Sequence, residues 1–326
     1  MTRIVHWERH IGRRLRLRDL FVFSTVARRG NMTRAAAELG VTTPTVSEII
    51  ADLEHALGVR LLDRSRKGVI PTASGQALLR RGEAAFDELR QGIAEIEFLS
   101  EPAAGEVKIG CPESIATILP PIVEPFRARY PRVVLDVTNV VFTTFAPRLR
   151  DRSLDLVLMR LRHSLVGDQA FDDINVDVLF DDDLVVVVGM RSPWARRRRI
   201  DLAELAHEQW ILPPAPESWG YKTLANAFHV RGLGPPIISV NTLSIHLQLN
   251  LIASGQLITT MPRSVYRFYR ERFELRRLPT TLPAPSWQVA ILTLKDRTLS
   301  PVVQRFMEFT RETAARAIAP SRDSST

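Results

Sequence analysis

Residues 32–62, MTRAAAELGVTTPTVSEIIADLEHALGVRLL, decide the fold of the N-terminal part of the chain. The pattern predicts two helices joined by a tight turn. The first begins near Thr33 and ends before Gly40, since glycine readily takes the left-handed conformation that terminates a helix. The second is capped by one of the threonines that follow and has Pro44 in its first turn.

The second predicted helix has one apolar face and one polar face. Its apolar residues recur at helical spacing and form a stripe of Val46, Ile49, Ile50, Leu53 and Leu57. Its start and opposite face carry Thr43, Thr45, Ser47, Glu48 and Asp52. This layout is typical of a helix-turn-helix, whose second helix enters a DNA major groove. Two helices packed only for stability would look similar, so this stretch alone leaves that alternative open.

The segment that follows, residues 61–72 (LLDRSRKGVIPT), has apolar ends around a basic tip with Gly68 at the turn. It predicts a β-hairpin wing whose cations point towards phosphates. A helix with a polar face followed at once by a basic hairpin favours DNA binding. We expect the base-facing residues to be Thr43, Pro44, Thr45, Ser47 and Glu48. We expect Arg34, Arg64, Arg66 and Lys67 to contact phosphates, and we also place Thr33 at this interface.

Residues 17–75 resemble the winged helix-turn-helix of LysR-type transcriptional regulators. The matching motifs are LRDLFVFSTVARRGNMTRAAAELGVTTPTVS, LEHALGVRLLDRSRKG and PTASG. The length and order of the later segments also match, so the resemblance covers nearly the whole chain. The family usually has glutamine where this chain has Thr43, and many members have a non-acidic residue at Glu48. Family base preferences at these two positions are therefore not carried over.

Composition describes an ordinary globular chain of two or three domains. Of its 326 residues, 45% are hydrophobic and 25% are charged. Apolar runs do not reach the roughly 18 residues of a membrane helix, and the basic N-terminus does not look like a secretory signal. The single cysteine argues against a disulfide framework and indicates a reducing cytoplasm.

Positive charge is concentrated at the N-terminus. The first 81 residues hold 15 Lys and Arg against 7 Asp and Glu, whereas the remainder holds 29 of each. This asymmetry is typical of a nucleic-acid-binding module joined to a neutral domain. Residues 1–16 are expected to form a basic N-terminal extension, either an arm that follows the phosphates or the minor groove of DNA, or a disordered or solvated tail.

Residues 76–100 are predicted to form a linker helix. A heptad seam of Leu79, Gly82, Phe86, Leu89, Ile93 and Ile96 runs along it. The resemblance implies that this helix pairs with its twin through Leu79, Phe86, Leu89, Ile93 and Ile96. Packing on its own regulatory domain is the alternative.

The rest of the chain is predicted to be α/β. Apolar strands are expected at residues 106–110, 133–137, 154–159, 184–189 and 289–294, alternating with helices. Continuous apolar runs are typical of buried parallel strands, so we expect a doubly wound arrangement with two small sheets. The resemblance implies a periplasmic-binding-protein-like (type 2) effector domain. Its first subdomain would comprise residues 105–166 and 288–316, and its second residues 167–287, before a disordered tail at 317–326.

An effector is expected in the cleft between these subdomains, because open α/β sheets bind ligands beyond the carboxyl ends of their strands. Ser114 is the first choice, although an ordinary helix-capping serine fits its spacing equally well; the resemblance favours the effector role. The complete predicted set is Ser114, Thr143, Arg160, Ser218, Trp219 and Thr242. Cys111 lies close by and is interpreted as a small buried residue rather than a redox sensor.

The resemblance implies a bacterial, cytoplasmic, nucleoid-associated regulator that binds promoter DNA and contacts RNA polymerase as a homodimer or homotetramer. Its effector would be a sugar, a sugar acid or an aromatic carboxylate. No catalytic motif, metal site or cofactor site is recognisable. An architectural DNA-binding protein without an effector and an enzyme lacking recognisable motifs are the alternatives.

Overall fold

The computed structural model describes residues 15–65, 68–101, 104–162, 171–214, 219–282 and 287–317. The chain divides into two compact units, residues 1–93 and 94–326. Within the described ranges, no helix is long and apolar enough to cross a membrane. Residues 1–14 of the predicted extension at 1–16, and residues 318–326 of the predicted tail at 317–326, lie outside the described residues.

The first unit contains the predicted helix-turn-helix and wing. Its helices are α1 (Leu17–Arg29), α2 (Met32–Leu39), α3 (Thr43–Leu57) and the first part of α4 (Ala73–Ser100). Strands β1 (Leu62–Ser65) and β2 (Gly68–Pro71) pair antiparallel as the hairpin. Gly40 ends α2 with a φ of 67°, and the side chain of Thr42 caps α3. The prediction from residues 32–62 is therefore confirmed.

A small apolar core holds these helices together. Phe23 and Val26 of α1 meet Ala35 of α2 and Val46 and Ile50 of α3, and all five are buried. Leu57 was expected in the same stripe but is 38% exposed. It is the last residue of α3, beside the Gly58 cap, and has already passed the edge of the core.

The second unit begins with a five-stranded sheet. Its strands are β3 (Ala104–Cys111), β4 (Arg132–Asn139), β5 (Leu156–Arg162), β6 (Ile174–Asp182) and β12 (Trp287–Leu294), in the order β4-β3-β5-β12-β6. Strand β3 is parallel to β4 and β5, whereas β12 is antiparallel to β5 and β6. The associated helices are α5 (Glu113–Ala116), α6 (Pro120–Arg129), α7 (Phe145–Arg150) and α11 (Pro301–Ala317).

The segment between β6 and β12 builds the other subdomain. Strand β7 (Leu184–Gly189) lies between β10 (Thr259–Pro262) and β11 (Leu275–Arg277), antiparallel to both. Strands β8 (Gln209–Leu212) and β9 (Ile237–Asn241) form a parallel pair. The helices are α8 (Trp219–Val230), α9 (Ile245–Ala253) and α10 (Arg263–Tyr269).

Two expectations about this region are wrong. The apolar runs at 184–189 and 289–294 are antiparallel strands, because burial on both faces makes a strand apolar whatever its direction. Strand β6 was assigned to the second subdomain at 167–287, yet it pairs with β12 in the first sheet. The chain leaves the first sheet through β6 and returns through β12, so these crossing strands lie side by side and run in opposite directions.

Candidate functional site

The wing is attached rigidly to the recognition helix α3. The Glu54 carboxylate accepts hydrogen bonds from the backbone N–H of Leu61 (2.7 Å) and of Leu62 (3.0 Å). At the end of the hairpin, the Thr72 hydroxyl donates to the carbonyl of Arg60 and accepts from Gly75 N–H. These bonds fix the wing relative to α3.

Glycine is required where the wing turns. Gly68 has a φ of +125°, and a Cβ atom built there would lie 2.6 Å from the Gly30 carbonyl oxygen. The next residue, Val69, donates its N–H to that same oxygen at 2.8 Å. The hairpin therefore packs against the turn after α1 through backbone atoms.

The predicted DNA contacts lie mostly on the surface. Exposed members of the set are Thr33, Arg34, Pro44, Glu48 and Arg64, and half-buried members are Thr43, Thr45 and Ser47. Arg66 and Lys67, which were predicted at the tip of the wing, lie outside the described residues.

Two of the half-buried hydroxyls already have neighbours. The Thr45 Oγ1 lies 2.8 Å from the Thr42 Oγ1, so one of the two donates to the other. The Ser47 hydroxyl is directed at the Met32 sulfur, 4.0 Å away. Ser47 therefore faces α2 and the domain interior, and is less available to a base than Thr45 is.

Ser114 lies at the carboxyl end of β3. It is the second residue of α5 and half-buried, and the N-cap position of that helix is occupied by Pro112. The helix-capping alternative for Ser114 is therefore wrong. Its hydroxyl oxygen instead accepts a hydrogen bond from Arg160 Nη1 at 3.0 Å.

Arg160 is the centre of a buried polar network. Its guanidinium forms an ion pair with the Asp182 carboxylate, in which Nε and Nη2 each lie 2.9 Å from Oδ2. The side chains of Arg160 and Asp182 are 4% and 2% exposed. Nη2 also donates to the Ser264 hydroxyl at 2.9 Å. Burial lowers the pKa of the Arg160 guanidinium from its usual value, while the Asp182 charge acts in the opposite direction.

The predicted set did not include Asp182 and Ser264. Asp182 is the last residue of β6, and its carboxylate accepts the backbone N–H (3.0 Å) and the hydroxyl (2.6 Å) of Ser264. Because Ser264 is in α10, this network joins the first sheet to the second subdomain at the crossing point. The run Asp181-Asp182-Asp183 directly before the apolar strand β7 was the available signal, since a strand end is a common place for a functional carboxylate.

A second contact crosses between the subdomains near Ser114. The Glu113 carboxylate accepts the backbone N–H of Ile245, the first residue of α9, at 3.1 Å. Ser244 caps α9, and Thr242 accepts the N–H of Ser244 at 3.0 Å. The structure therefore brings the predicted loop of Thr242 close to the loop of Ser114.

Three further residues belong to the predicted effector set. Thr143 is exposed. Trp219 begins α8, and Ser218 lies outside the described residues. Cys111 is 1% exposed, and burial raises the pKa of its thiol to about 11, so its interpretation as a small buried residue is confirmed.

The linker helix α4 has two kinds of seam residue. Leu79 and Phe86 pack against the core of the first unit, where the Phe86 ring meets Phe21 edge-on at 5.7 Å. Further along, the apolar side chains are exposed: Leu89 by 49%, Ile93 by 59% and Ile96 by 65%. The first two stabilise the chain's own fold, and the last three form an apolar stripe on its surface.

The architecture defines a two-part class of protein, a winged helix-turn-helix followed by a two-subdomain α/β domain with a polar crossing point. Residues 17–76 match the family model described as bacterial regulatory helix-turn-helix protein, lysR family. Residues 100–315 match the model described as LysR substrate binding domain. The chain belongs to the LysR family of DNA-binding transcriptional regulators, which are not enzymes.

Known proteins resemble the chain along nearly its whole length. The transcriptional regulator TdcA of Escherichia coli (strain K12) is 29% identical, over 90% of this chain and 91% of TdcA. The hca operon transcriptional activator HcaR of the same organism is 26% identical, over 94% of this chain and all of HcaR. A full-length OxyR variant from Pseudomonas aeruginosa shares the fold, with a TM-score of 0.65 at 21% identity over 96% and 99% of the two chains. Full-length CbnR complexed with its target DNA also shares it, with a TM-score of 0.59 at 21% identity over 92% and 100%.

Proposed function

We propose that this regulator is controlled by a small effector with an acceptor oxygen, of the sugar, sugar-acid or aromatic-carboxylate class, that binds beside Ser114. The observation that carries the proposal is the hydrogen bond from Arg160 to the Ser114 oxygen. Because that oxygen already accepts, the hydroxyl proton is free to be donated to a ligand. In this proposal Thr242 and Ser244 would supply further hydroxyl groups from the loop before α9, which contacts the Ser114 loop through Glu113 and Ile245.

Effector binding would act on the contacts between the subdomains. Ligand bound between the Ser114 loop and the start of α9 would favour one arrangement of the Glu113–Ile245 contact and of the Arg160 network. A ligand shifts such an equilibrium only by its difference in affinity for the two states. In this proposal the change alters the geometry of a homodimer or homotetramer on promoter DNA, and its contact with RNA polymerase, in the bacterial cytoplasm.

A thermal-shift screen tests the effector. The panel contains sugars, sugar acids, aromatic carboxylates and amino acids. A ligand at 100 times its dissociation constant stabilises the folded state by about 2.7 kcal/mol. For a unit of this size, that corresponds to a rise in Tm of roughly 5–11 °C.

The site is tested with two matched serine variants. Ser114→Ala should abolish the shift while leaving DNA binding intact. Ser254→Ala, which removes an exposed hydroxyl bonded to the carbonyl of Leu251, should not change the shift. An unshifted Tm across the panel would favour an architectural protein without an effector, and a shift that persists in Ser114→Ala would place the ligand elsewhere.

For the first unit, we propose that Thr45 and Glu48 read bases and that Arg34 and Arg64 hold phosphates. The exposure of Glu48 on α3, of Arg34 near the start of α2 and of Arg64 on β1 supports this division, and Thr45 is half-buried on the same helix as Glu48. Arg64→Gln should weaken binding to all DNA sequences and reduce the salt dependence by about one unit of log–log slope. Thr45→Ala should cost roughly 1–3 kcal/mol at one base pair and little on scrambled DNA. Loss of base preference in Arg64→Gln would contradict its role as a phosphate anchor.

A further inference from the structure

The neutral charge of the C-terminal part of the chain conceals a strong internal asymmetry. Residues 184–282, the second subdomain, hold 13 Lys and Arg against 6 Asp and Glu, a net charge of +7. The remaining residues of 82–326 hold 16 against 23, a net charge of −7. A separation of charge of this size gives the second subdomain a positive electrostatic potential, which favours negatively charged partners.

A single short segment holds five of these 13 positively charged residues. Residues 191–199, RSPWARRRR, hold five arginines, all of them exposed. The strand pairing adds a sixth: Arg276 of β11 is opposite Val188 of β7, and the Val188 side chain lies in the same apolar cluster as Ala195 and Ile200. Side chains paired across two strands share a face of the sheet, so Arg276 lies on the face that the 191–199 segment covers. We call the six residues Arg191, Arg196, Arg197, Arg198, Arg199 and Arg276 the arginine ridge.

The nearby acids leave most of the ridge unpaired. Glu204 forms its ion pair with Arg197 at 2.5 Å, and Asp201 forms its own with Arg231 at 2.7 Å. Within the parts of the chain that the structure describes, Arg196, Arg198 and Arg199 have no acidic partner within 4 Å. A domain that needed these charges only for solubility would not require them on consecutive residues.

The backbone beneath the ridge is held in place. Ser192, Ala195 and Ile200 are buried, and the Ser192 hydroxyl caps the short 3-10 helix Pro193–Arg196. Gly255 approaches so closely that a Cβ there would lie 2.8 Å from the Arg191 carbonyl carbon. A fixed backbone needs no further ordering on binding, so the conformational entropy lost is mainly that of the arginine side chains.

We propose that the arginine ridge is a second DNA-binding surface, which contacts the phosphate backbone of a duplex outside the segment read by α3. Arginine suits this role because its planar guanidinium donates to phosphate oxygens in pairs. The large exposed side chains between residues 191 and 199 are guanidiniums, and Trp194 is half-buried, with Arg197 5.7 Å over its ring. Protein-binding hot spots combine arginine with exposed Trp or Tyr, and the aromatic residue of this segment, Trp194, is half-buried. A duplex bound by the first unit would also be present at high local concentration for the second.

The test measures how DNA affinity depends on salt. Full-length wild type, Arg198→Gln/Arg199→Gln and the control Arg270→Gln/Arg272→Gln are titrated with a labelled 40-base-pair duplex of arbitrary sequence at several KCl concentrations. The control removes two exposed arginines from the same subdomain, at and just beyond the end of α10. Loss of two phosphate contacts should reduce the log–log slope by about 1.8. If the affinities converge at 1 M salt, the ridge variant should bind about 60-fold more weakly at 0.1 M.

Further variants keep the result interpretable. Arg198→Lys/Arg199→Lys retains the charge and should restore most of the slope, which excludes a folding defect. Equal slopes for wild type and the ridge variant would overturn the proposal, as would an equal reduction in the control. Poly-glutamate serves as a probe for an acidic protein: if the ridge variant loses affinity for poly-glutamate alone and binds DNA as wild type does, the partner is a protein and the DNA proposal is wrong. Effector binding at Ser114 is not involved in any of these outcomes.

Discussion

Asp182→Asn should destabilise the second unit far more than the loss of an ordinary surface ion pair. The substitution keeps the shape of the side chain and removes its charge. It leaves the Arg160 guanidinium, 4% exposed, buried without its counter-ion. Breaking a buried pair in this way costs about 3–5 kcal/mol. Since 1 kcal/mol corresponds to about 2–4 °C for a domain of 150–250 residues, the Tm should fall by roughly 6–20 °C.

The same unit contains a matched control. Arg150 and Asp173 form a two-pronged ion pair, with distances of 2.7 and 2.8 Å, but both side chains are about 45% exposed. Arg150 lowers the pKa of the Asp173 carboxyl, mainly through this hydrogen bond. Exposed pairs contribute about 0.2–1 kcal/mol, so Asp173→Asn should lower the Tm by at most about 4 °C.

Differential scanning calorimetry of the full chain measures both variants. Removing both charges, in Arg160→Met/Asp182→Leu, should restore part of the stability lost in Asp182→Asn, because no uncompensated charge then remains buried. Equal Tm changes in Asp182→Asn and Asp173→Asn would refute the reasoning, since burial would then not determine the cost. A double variant less stable than Asp182→Asn would show that the hydrogen bonds of Ser114 and Ser264 to Arg160 and Asp182 matter more than the buried charge.

Three further predictions concern other parts of the chain. Gly75→Ala should abolish folding of the first unit and DNA binding, because its Cβ would lie 2.0 Å from the Leu61 carbonyl oxygen. In the control Gly92→Ala the Cβ meets nothing within 4 Å, so circular dichroism should show normal folding. With a pKa of about 11, native Cys111 should be about 0.1% thiolate at pH 8 and should react with iodoacetamide only after unfolding; rapid native labelling would contradict its burial. Ile93→Asp/Ile96→Asp should reduce the assembly size measured by light scattering, because both side chains lie on the exposed stripe of α4; an unchanged mass would exclude that stripe from the interface.

The N-terminal unit was predictable in detail because its signals are local. Gly40 and the threonines before Pro44 set a helix end and a helix start within a few residues of chain, and the structure has both where they were predicted. The glycine at position 68 likewise indicated a hairpin turn, but its contact with the Gly30 carbonyl depends on α1, about 40 residues away. The local sequence therefore predicts the turn at Gly68, but it does not predict the contact with Gly30 that makes glycine necessary there.

The region of the proposed effector site was less predictable because its key contacts join distant segments. Ser114 and Arg160 each follow from their position at the end of a strand, but their hydrogen bond spans 46 residues. The link from Arg160 to Ser264 spans 104 residues. The direction of the strands could not be predicted from the sequence for a similar reason. An apolar run shows that a strand is buried, and only the return of the chain through β12 shows which way it points.

The functional conclusion drawn from net charge depends on the range of residues over which the charges are counted. Counted over residues 82–326, the positive and negative charges cancel, which indicates a domain indifferent to DNA. That conclusion assumes that the charges mix in space. The fold separates them, because β6 and its acidic neighbours belong to the first sheet, whereas 191–199 and β11 belong to the second subdomain. Electrostatic attraction is screened over about 10 Å at 0.1 M salt, so a phosphate near the arginine ridge responds mainly to the ridge itself and not to the distant compensating charge. The neutral total therefore does not argue against a DNA contact in the regulatory domain, and the salt dependence of the ridge variant decides whether there is one.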